Sequence, residues 1–219
     1  SMKLSIIIAN YNREMYIARA IRSCINQQIF RTKYEILVID DGSTDDSMKV
    51  IQEFNSDIRL IQNRVNMGVA FASNIGLENA KGEYWMRVDS DDFISQFSCQ
   101  YMIDILDHNT GIDFVYSDHY RIDTNGLTVD TVRLDNNEAL FMHGAGVMFR
   151  KSVLDKVGGY DNSLRNAEDY DLLLRILRAG YKGYHIPVPL YRYYIHGENI
   201  TLQNDREISI QLIKERYDI

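Results

Sequence analysis

Strand and helix signals alternate four times in the first 90 residues, and this constrains the fold more than any other feature of the chain. "KLSIIIANYN" (3–12) is a continuous apolar run closing on polar residues, the pattern of a strand buried on both faces. Residues 13–28 carry Ile17, Ala20, Ile21 and Cys24 at helical spacing. "YEILVIDDG" (34–42) predicts a second buried strand, after which Ser43 is expected to cap a helix over 44–54. "DIRLIQN" (57–63), a helix over 65–80 and "GEYWMRVDS" (82–90) complete the series. The alternation predicts an α/β fold of Rossmann type, with a mainly parallel sheet flanked by helices. Ligands of such sheets bind beyond the carboxyl ends of the strands. The polar clusters stand there: Asn10-Tyr11-Asn12, Asp40-Asp41-Gly42 and Asp89-Ser90-Asp91-Asp92.

The second half is less regular and predicts a mixed region. A helix over 95–108 leads to a strand, "IDFVYSDHYRI" (112–122), and "DTNG" (123–126) reads as a hairpin turn before "LTVDTVRL". "GAGVMFRKSVLDKVGGY" (144–160) is a Gly-flanked apolar segment followed by a short helix, and "NAEDYDLLLRILRAG" (166–180) is an amphipathic helix with a Gly stop. Two short strands, "YKGYHIP" and "LYRYYI", and a helical tail from Asn204 follow. No repeat, linker or internal boundary interrupts residues 1–219, so one domain is expected, with halves at 1–93 and 94–219.

Composition narrows the partners. With net charge −7 and no basic stripe, a nucleic-acid surface is not expected. An acidic protein that handles an anion needs a metal or local N–H groups to offset its own field. Cys24 and Cys99, without partners at metal spacing, read as buried free thiols. No run approaches 18 apolar residues, so no membrane span is expected. Ser1-Met2 reads as a tag scar and no signal peptide follows, which points to a cytoplasmic protein.

"YWMRVDSDD" (84–92) places three carboxylates in four residues after an apolar run. Three readings stand. Asp91 or Asp92 could cap the next helix, which accounts for one acid and not three. Two carboxylates could share a proton for acid–base work. Asp-x-Asp could present hard oxygen donors to Mg²⁺ or Mn²⁺ from a tight turn. In "AEDYD", Glu168, Asp169 and Asp171 open a helix, where acids are favoured by the dipole alone.

The blocks "NYNRE", "VIDDGSTDDS", "NMGVAFASNIGLENAKGEY", "DSDD" and "GAGVMFRKSVLDKVGGYD…AEDYDLLLRILRAG", in this order, resemble the inverting family 2 glycosyltransferases of GT-A fold over nearly the whole chain. The resemblance implies a nucleotide diphosphate sugar bound by the first half and an acceptor bound by the second. It implies that Ala9, Asn10 and Tyr11 flank the base, with Tyr11 stacking, and that Asp40 accepts from the imide N–H, which favours uracil. It places Asp89 by the ribose with Ser90 in the same donor set, and Asp91 on a Mn²⁺ or Mg²⁺ ion bridging the phosphates. His196 would reach the metal or the diphosphate, and Arg192 would pair with phosphate oxygens or form a surface ion pair. Asp169 would be the catalytic base, with Glu168 supporting it or binding acceptor. The family's frequent Pro-Thr before the first Tyr is Ala9-Asn10 here, and its Pro after the acidic block is Gln96. The QxxRW run of processive polymerases is absent from 181–205, which implies a non-processive enzyme.

The expected function is therefore metal-dependent transfer from a UDP-sugar to a glycan or lipid-linked acceptor of a bacterial surface polysaccharide pathway, with room for peripheral association at the inner membrane face. The alternatives are a non-catalytic sugar-nucleotide or glycan-binding module and a sugar nucleotidyltransferase. The latter usually opens on a Gly-rich phosphate loop, and residues 9–16 contain no Gly. A dinucleotide oxidoreductase is disfavoured, since no G-x-G-x-x-G follows the first strand.

Overall fold

The computed structural model describes residues 1–199 and 205–219. Strands β1 (Met2–Asn10), β2 (Lys33–Asp40), β3 (Arg59–Gln62) and β4 (Tyr84–Arg87) run parallel in the order β3-β2-β1-β4. Helices α1 (Ile17–Ile25), α2 (Ser47–Gln52) and α3 (Val69–Asn79) connect them. The order reverses at β1, which opens a crevice at its carboxyl end. Register sharpens that crevice. Asn10 pairs with Asp40 and Asp40 with Gln62, whereas β4 pairs with β1 only as far as Ile7–Arg87. After Val88, whose N–H donates to the Ile7 carbonyl, the acidic segment turns across the strand ends.

The remaining elements are β5 (Phe93–Ile94), α4 (Ser98–His108), β6 (Phe114–Ile122), β7 (Thr128–Val132), α5 (Asn137–Met142), β8 (Met148–Arg150), α6 (Lys151–Val157), α7 (Glu168–Arg178), β9 (Gly183–Tyr194) and α8 (Asp205–Tyr217). They extend the sheet as β4-β8-β6-β9-β5, antiparallel except for β6–β9, with β7 beside β6. The alternation of each strand sorts the core onto two faces. Leu4, Ile6, Ile8, Val38 and Met86 pack with Ile17, Ile21 and Cys24 of α1 and Cys99, Met102 and Ile103 of α4. Ile7, Leu37, Ile39 and Trp85 face Ala70 and Ala72 of α3, Val153 and Leu154 of α6, and Leu172, Leu173 and Ile176 of α7. Both cysteines are buried and free.

Several expectations change. Ser43 caps no helix: its hydroxyl donates to Asp40 and accepts from the Asn12 N–H, and α2 starts only at Ser47. Neither Asp91 nor Asp92 caps α4, which begins at Ser98. The two short strands near the end are one strand, β9, that keeps both prolines. Its pairing with β6 slips between Ser117 and His119, opposite Pro187 and Pro189, where the ladder lacks their N–H donors. The short elements β5 and α5 carry too little periodicity to have been foreseen. The tail helix is present as α8, while Asn204, where the expectation began, lies outside the described residues.

Candidate active site

A cavity of about 280 Å³ opens at the carboxyl end of β1 and β4. Its wall includes Ala9, Asn10, Tyr11, Asp89, Ser90, Asp91, Glu168 and Asp169, so residues from both halves of the chain meet there. Tyr11 stands at the rim, 40% exposed. Asp40 is not in the wall. Its Oδ1 accepts from Asn10 Nδ2 (3.0 Å) and Ser43 Oγ (2.7 Å), and its Oδ2 from the Ser43 N–H (3.0 Å). Asp41 is in the wall instead, with Oδ1 accepting from Asn63 Nδ2 and Oδ2 from the Gly68 N–H, each at 2.8 Å. Successive strand residues point to opposite faces, so only one acid of the pair can look into the crevice. Gly68 donates that bond at φ +100°, and a Cβ there would meet only the flexible Arg165 end. Backbone conformation, rather than close approach, explains this glycine.

The acidic segment is held by three different devices. Asp89 pairs with Arg87 Nε at 3.1 Å, and Arg87 Nη2 reaches Glu168 Oε1, also at 3.1 Å. Arg87 follows Trp85 on the same face of β4, which is why it points toward α7. Desolvation, then the charges of Asp91 and Asp169, raise the Asp89 pKa against the pull of Arg87. Asp91 accepts from His196 Nε2 at 2.8 Å and lies 4.0 Å from Arg13 Nε. The His196 ring stacks among Tyr16 and Tyr194, with centroids at 4.7 and 5.7 Å. Asp92 is fully buried and structural. It accepts from Tyr191 Oη (2.6 Å) and the Tyr194 N–H (2.9 Å), which fastens β9 beneath the site. Burial and its acidic neighbours push its pKa well up. The same Tyr191 hydroxyl accepts from the Asp89 N–H at 3.2 Å.

Glu168 and Asp169 open α7, preceded by Ala167 in the left-handed region at φ 55°. That conformation costs a non-glycine residue roughly 1–2 kcal/mol, and it aims both acids into the cavity. Asp169 accepts from the Gly144 N–H (3.2 Å) and the Tyr170 N–H (2.8 Å). A Cβ on Gly144 would lie 2.3 Å from the Asp169 Cβ, so this glycine is required by close approach. Arg206 of α8 donates to Asp169 Oδ1 at 3.1 Å. Burial raises the Asp169 pKa, but Arg206 and then Arg87 outweigh it, and the net shift is downward. Glu168 shifts the other way, through burial and the Asp169 charge, with Arg87 opposing. Asp171 faces away, accepting from Arg175 Nε and Tyr217 Oη, and serves α7–α8 packing.

Arg192 is not brought to the cavity. It lies on the opposite face of β9 from its neighbour Tyr191, its Nη1 donating to the Pro189 carbonyl (2.6 Å) and its guanidinium 4.9 Å from the Tyr120 ring centroid. His196 sits behind Asp91 rather than in the wall. Arg87, Arg206, Tyr191, Asp41 and Gly144 were not anticipated. Arg87 could have been, since it shares the strand face of buried Trp85 two residues before an acidic cluster. Arg206 lies 37 positions from Asp169 and carries no local signal.

Solved structures match this architecture. A crystal structure of TarS from S. aureus in complex with UDP-GlcNAc aligns with TM-score 0.80 at 21% identity, over 98% of this chain and 66% of that one. The mannosyltransferase PcManGT from Pyrobaculum calidifontis, in complex with GDP-Man and Mn²⁺, aligns with TM-score 0.71 at 19% identity, over 90% of this chain and 58% of that one. The fold is that of the GT-A glycosyltransferases. The family model described as glycosyl transferase family 2 matches residues 5–158, and the chain belongs to that family. Among its relatives, chondroitin synthase of Escherichia coli is 31% identical over 211 residues, covering 91% of this chain and 30% of that protein. An uncharacterized glycosyltransferase of Haemophilus influenzae is 27% identical over 228 residues, covering 98% and 76%. The chain thus spans less than a third of the chondroitin synthase it resembles.

Proposed function

We propose that the chain catalyses metal-dependent, inverting and non-processive transfer of a hexosyl or N-acetylhexosaminyl group from a UDP-sugar to a glycan or lipid-linked acceptor. One observation carries this reading: Asp89 and Asp91 from the strand half and Glu168 and Asp169 from the helix half line one cavity. Among described residues no group of three His, Cys, Asp or Glu side chains could hold a metal alone. Asp91, held by His196 behind it, nevertheless fits Mn²⁺ or Mg²⁺, because these ions commonly take one or two protein ligands and complete their shell with substrate phosphates and water. The bound ion would stabilise the leaving diphosphate. Arg87 and Asp89 hold the wall beside it, and Tyr11 offers a face to the base. Asp41 replaces Asp40 as the acid on the base's side, because Asp41 lies in the cavity wall and Asp40 does not, although both accept internal hydrogen bonds. Asp169, kept ionised by Arg206, would take the proton of the acceptor hydroxyl opposite the leaving group. The 1–93 and 94–219 halves then correspond to donor and acceptor sides of a single catalytic domain. The UDP-GlcNAc complex of TarS and the Mn²⁺ complex of PcManGT support this choice of donor class and ion.

Calorimetry with UDP and GDP, each with Mn²⁺ or EDTA, tests the reading. UDP is expected to bind more tightly than GDP and to weaken strongly in EDTA, and Asp91→Ala should erase the metal effect. Equal UDP affinity with and without Mn²⁺ refutes the metal role, and tighter GDP binding refutes the uracil preference.

A further inference from the structure

Five charged groups form one network at the cavity, Asp89, Glu168 and Asp169 against Arg87 and Arg206, and all but the partly exposed Asp89 are buried. Arg87 is shared between Asp89 and Glu168, at 3.1 Å to each. Asp169 therefore depends on Arg206, at 3.1 Å from Oδ1 and 3.4 Å from Oδ2. Arg206 is 5% exposed, and its Nε has no hydrogen-bond partner. It reaches the site because α8 is fastened to α7: Ile213 packs on Ala167, Tyr170 and Leu174, and Tyr217 Oη donates to Asp171.

We infer that Arg206 is a positioning residue of the transfer reaction, holding Asp169 aimed into the cavity and ionised beside Glu168, and that α8 is thereby part of the active-site machinery. This rests on the reading of Asp169 as base. Charge arithmetic supports it. With both guanidinium groups, the five-membered network carries net charge −1. Without Arg206 it carries −2, and the adjacent Glu168–Asp169 pair then holds a proton up to a higher pH. A base that already holds a proton cannot accept one. In the transfer step the acceptor oxygen forms a bond to the anomeric carbon, the bond from that carbon to the diphosphate breaks with its electron pair going to the phosphate oxygen, and the acceptor's proton passes to the Asp169 carboxylate. Among the described residues Asp169 also faces His143, whose pKa burial lowers, and Tyr160, whose pKa burial raises, so both stay neutral near pH 7. Arg206 and then Arg87 are the strongest cationic influences on Asp169 among the described residues, consistent with its lowered pKa.

The test is the pH profile of kcat, at saturating UDP-sugar, Mn²⁺ and the acceptor used by the wild-type chain, for Arg206→Met, Arg206→Gln and Arg206→Lys. UDP binding and Tm certify folding for each, and the Gln variant carries the test if the Met variant does not fold. Losing one opposite charge at this range moves a carboxylate by about 1–3 pH units. The acid limb of kcat should therefore rise by about that much in the neutral variants, cutting the rate roughly tenfold at a pH one unit below the new limb, where the wild type is still on its plateau, while sparing it at high pH. The Lys variant should keep the wild-type limb. In an Asp169→Asn background, Arg206→Gln should move no limb. A uniform loss at every pH with the limb unmoved would mean Arg206 only braces the fold, and overturns the inference. Near-wild-type transfer by Asp169→Asn alone instead removes the base itself, a separate outcome that overturns both readings.

Discussion

Gly144→Ala should disable the chain without emptying its donor site. The added Cβ would start 2.3 Å from the Asp169 Cβ and 2.9 Å from its Oδ2. Carbon atoms at ease sit about 3.5–4.0 Å apart, so roughly 1.2 Å or more must be found by moving Asp169 or the segment carrying Gly144. Asp169 cannot yield freely, because the Tyr170 N–H and Arg206 hold its carboxylate and α7 is packed through Leu172, Leu173 and Ile176. A misplacement of about 1 Å at a reacting group costs on the order of 10²-fold in rate. Overpacking of this kind costs about 1–3 kcal/mol in stability. We therefore expect kcat to fall about 10²-fold, UDP affinity measured by calorimetry to stay within about threefold, and the urea midpoint to drop modestly. The Gly144 N–H bond to Asp169 Oδ2 would lengthen at the same time. A variant with kcat within threefold of wild type would show that Asp169 is not the group whose position limits transfer. A parallel collapse of UDP binding would show that Gly144 serves the donor side.

Asp169→Asn preserves shape but removes the proton acceptor, so transfer should fall by about 10²–10⁴-fold while UDP affinity holds; transfer near the wild-type rate refutes its role as base, and an α-linked product from an α-linked donor refutes inversion. Asp41→Asn should weaken UDP binding by about 1–3 kcal/mol, whereas Asp40→Asn, outside the cavity, should lower Tm more than it lowers UDP affinity; the reverse pattern returns the base contact to Asp40. Desolvation opposes the low pKa of Asp107, but its bonds from Lys3 and Tyr84 win and depress it. A depressed carboxyl contributes stability above its unfolded pKa and loses it as pH falls through the folded value. Asp107→Asn should therefore cost about 1 kcal/mol at pH 7, given partial exposure, and nothing at a pH below the depressed pKa; urea unfolding that shows an equal loss at both pH values contradicts the linkage.

The parallel half of the sheet is determined by sequence that acts locally. "IIIA" (6–9) and "ILVI" (36–39) are continuous apolar runs, which read as strands buried on both faces, and Ile17, Ala20, Ile21 and Cys24 mark the side on which α1 must lie. The carboxyl-end location of Asn10, Asp89 and Asp91 follows from that alternation alone. What only tertiary structure decided is the direction of side chains at strand ends and the pairing of distant charges. Asp40 and Asp41 are equivalent in the sequence, and the one-residue phase of β2 against β1 sends the first to Ser43 and the second to the cavity. Alternation along β9 likewise puts Tyr191 under the site and Arg192 behind it. Pro187 and Pro189 suggested a break that β9 instead absorbs as a register slip against β6. Arg206 meets Asp169 only because Ile213 and Tyr217 lay α8 along α7, and a buried ion pair of that kind depends on packing that no local pattern encodes.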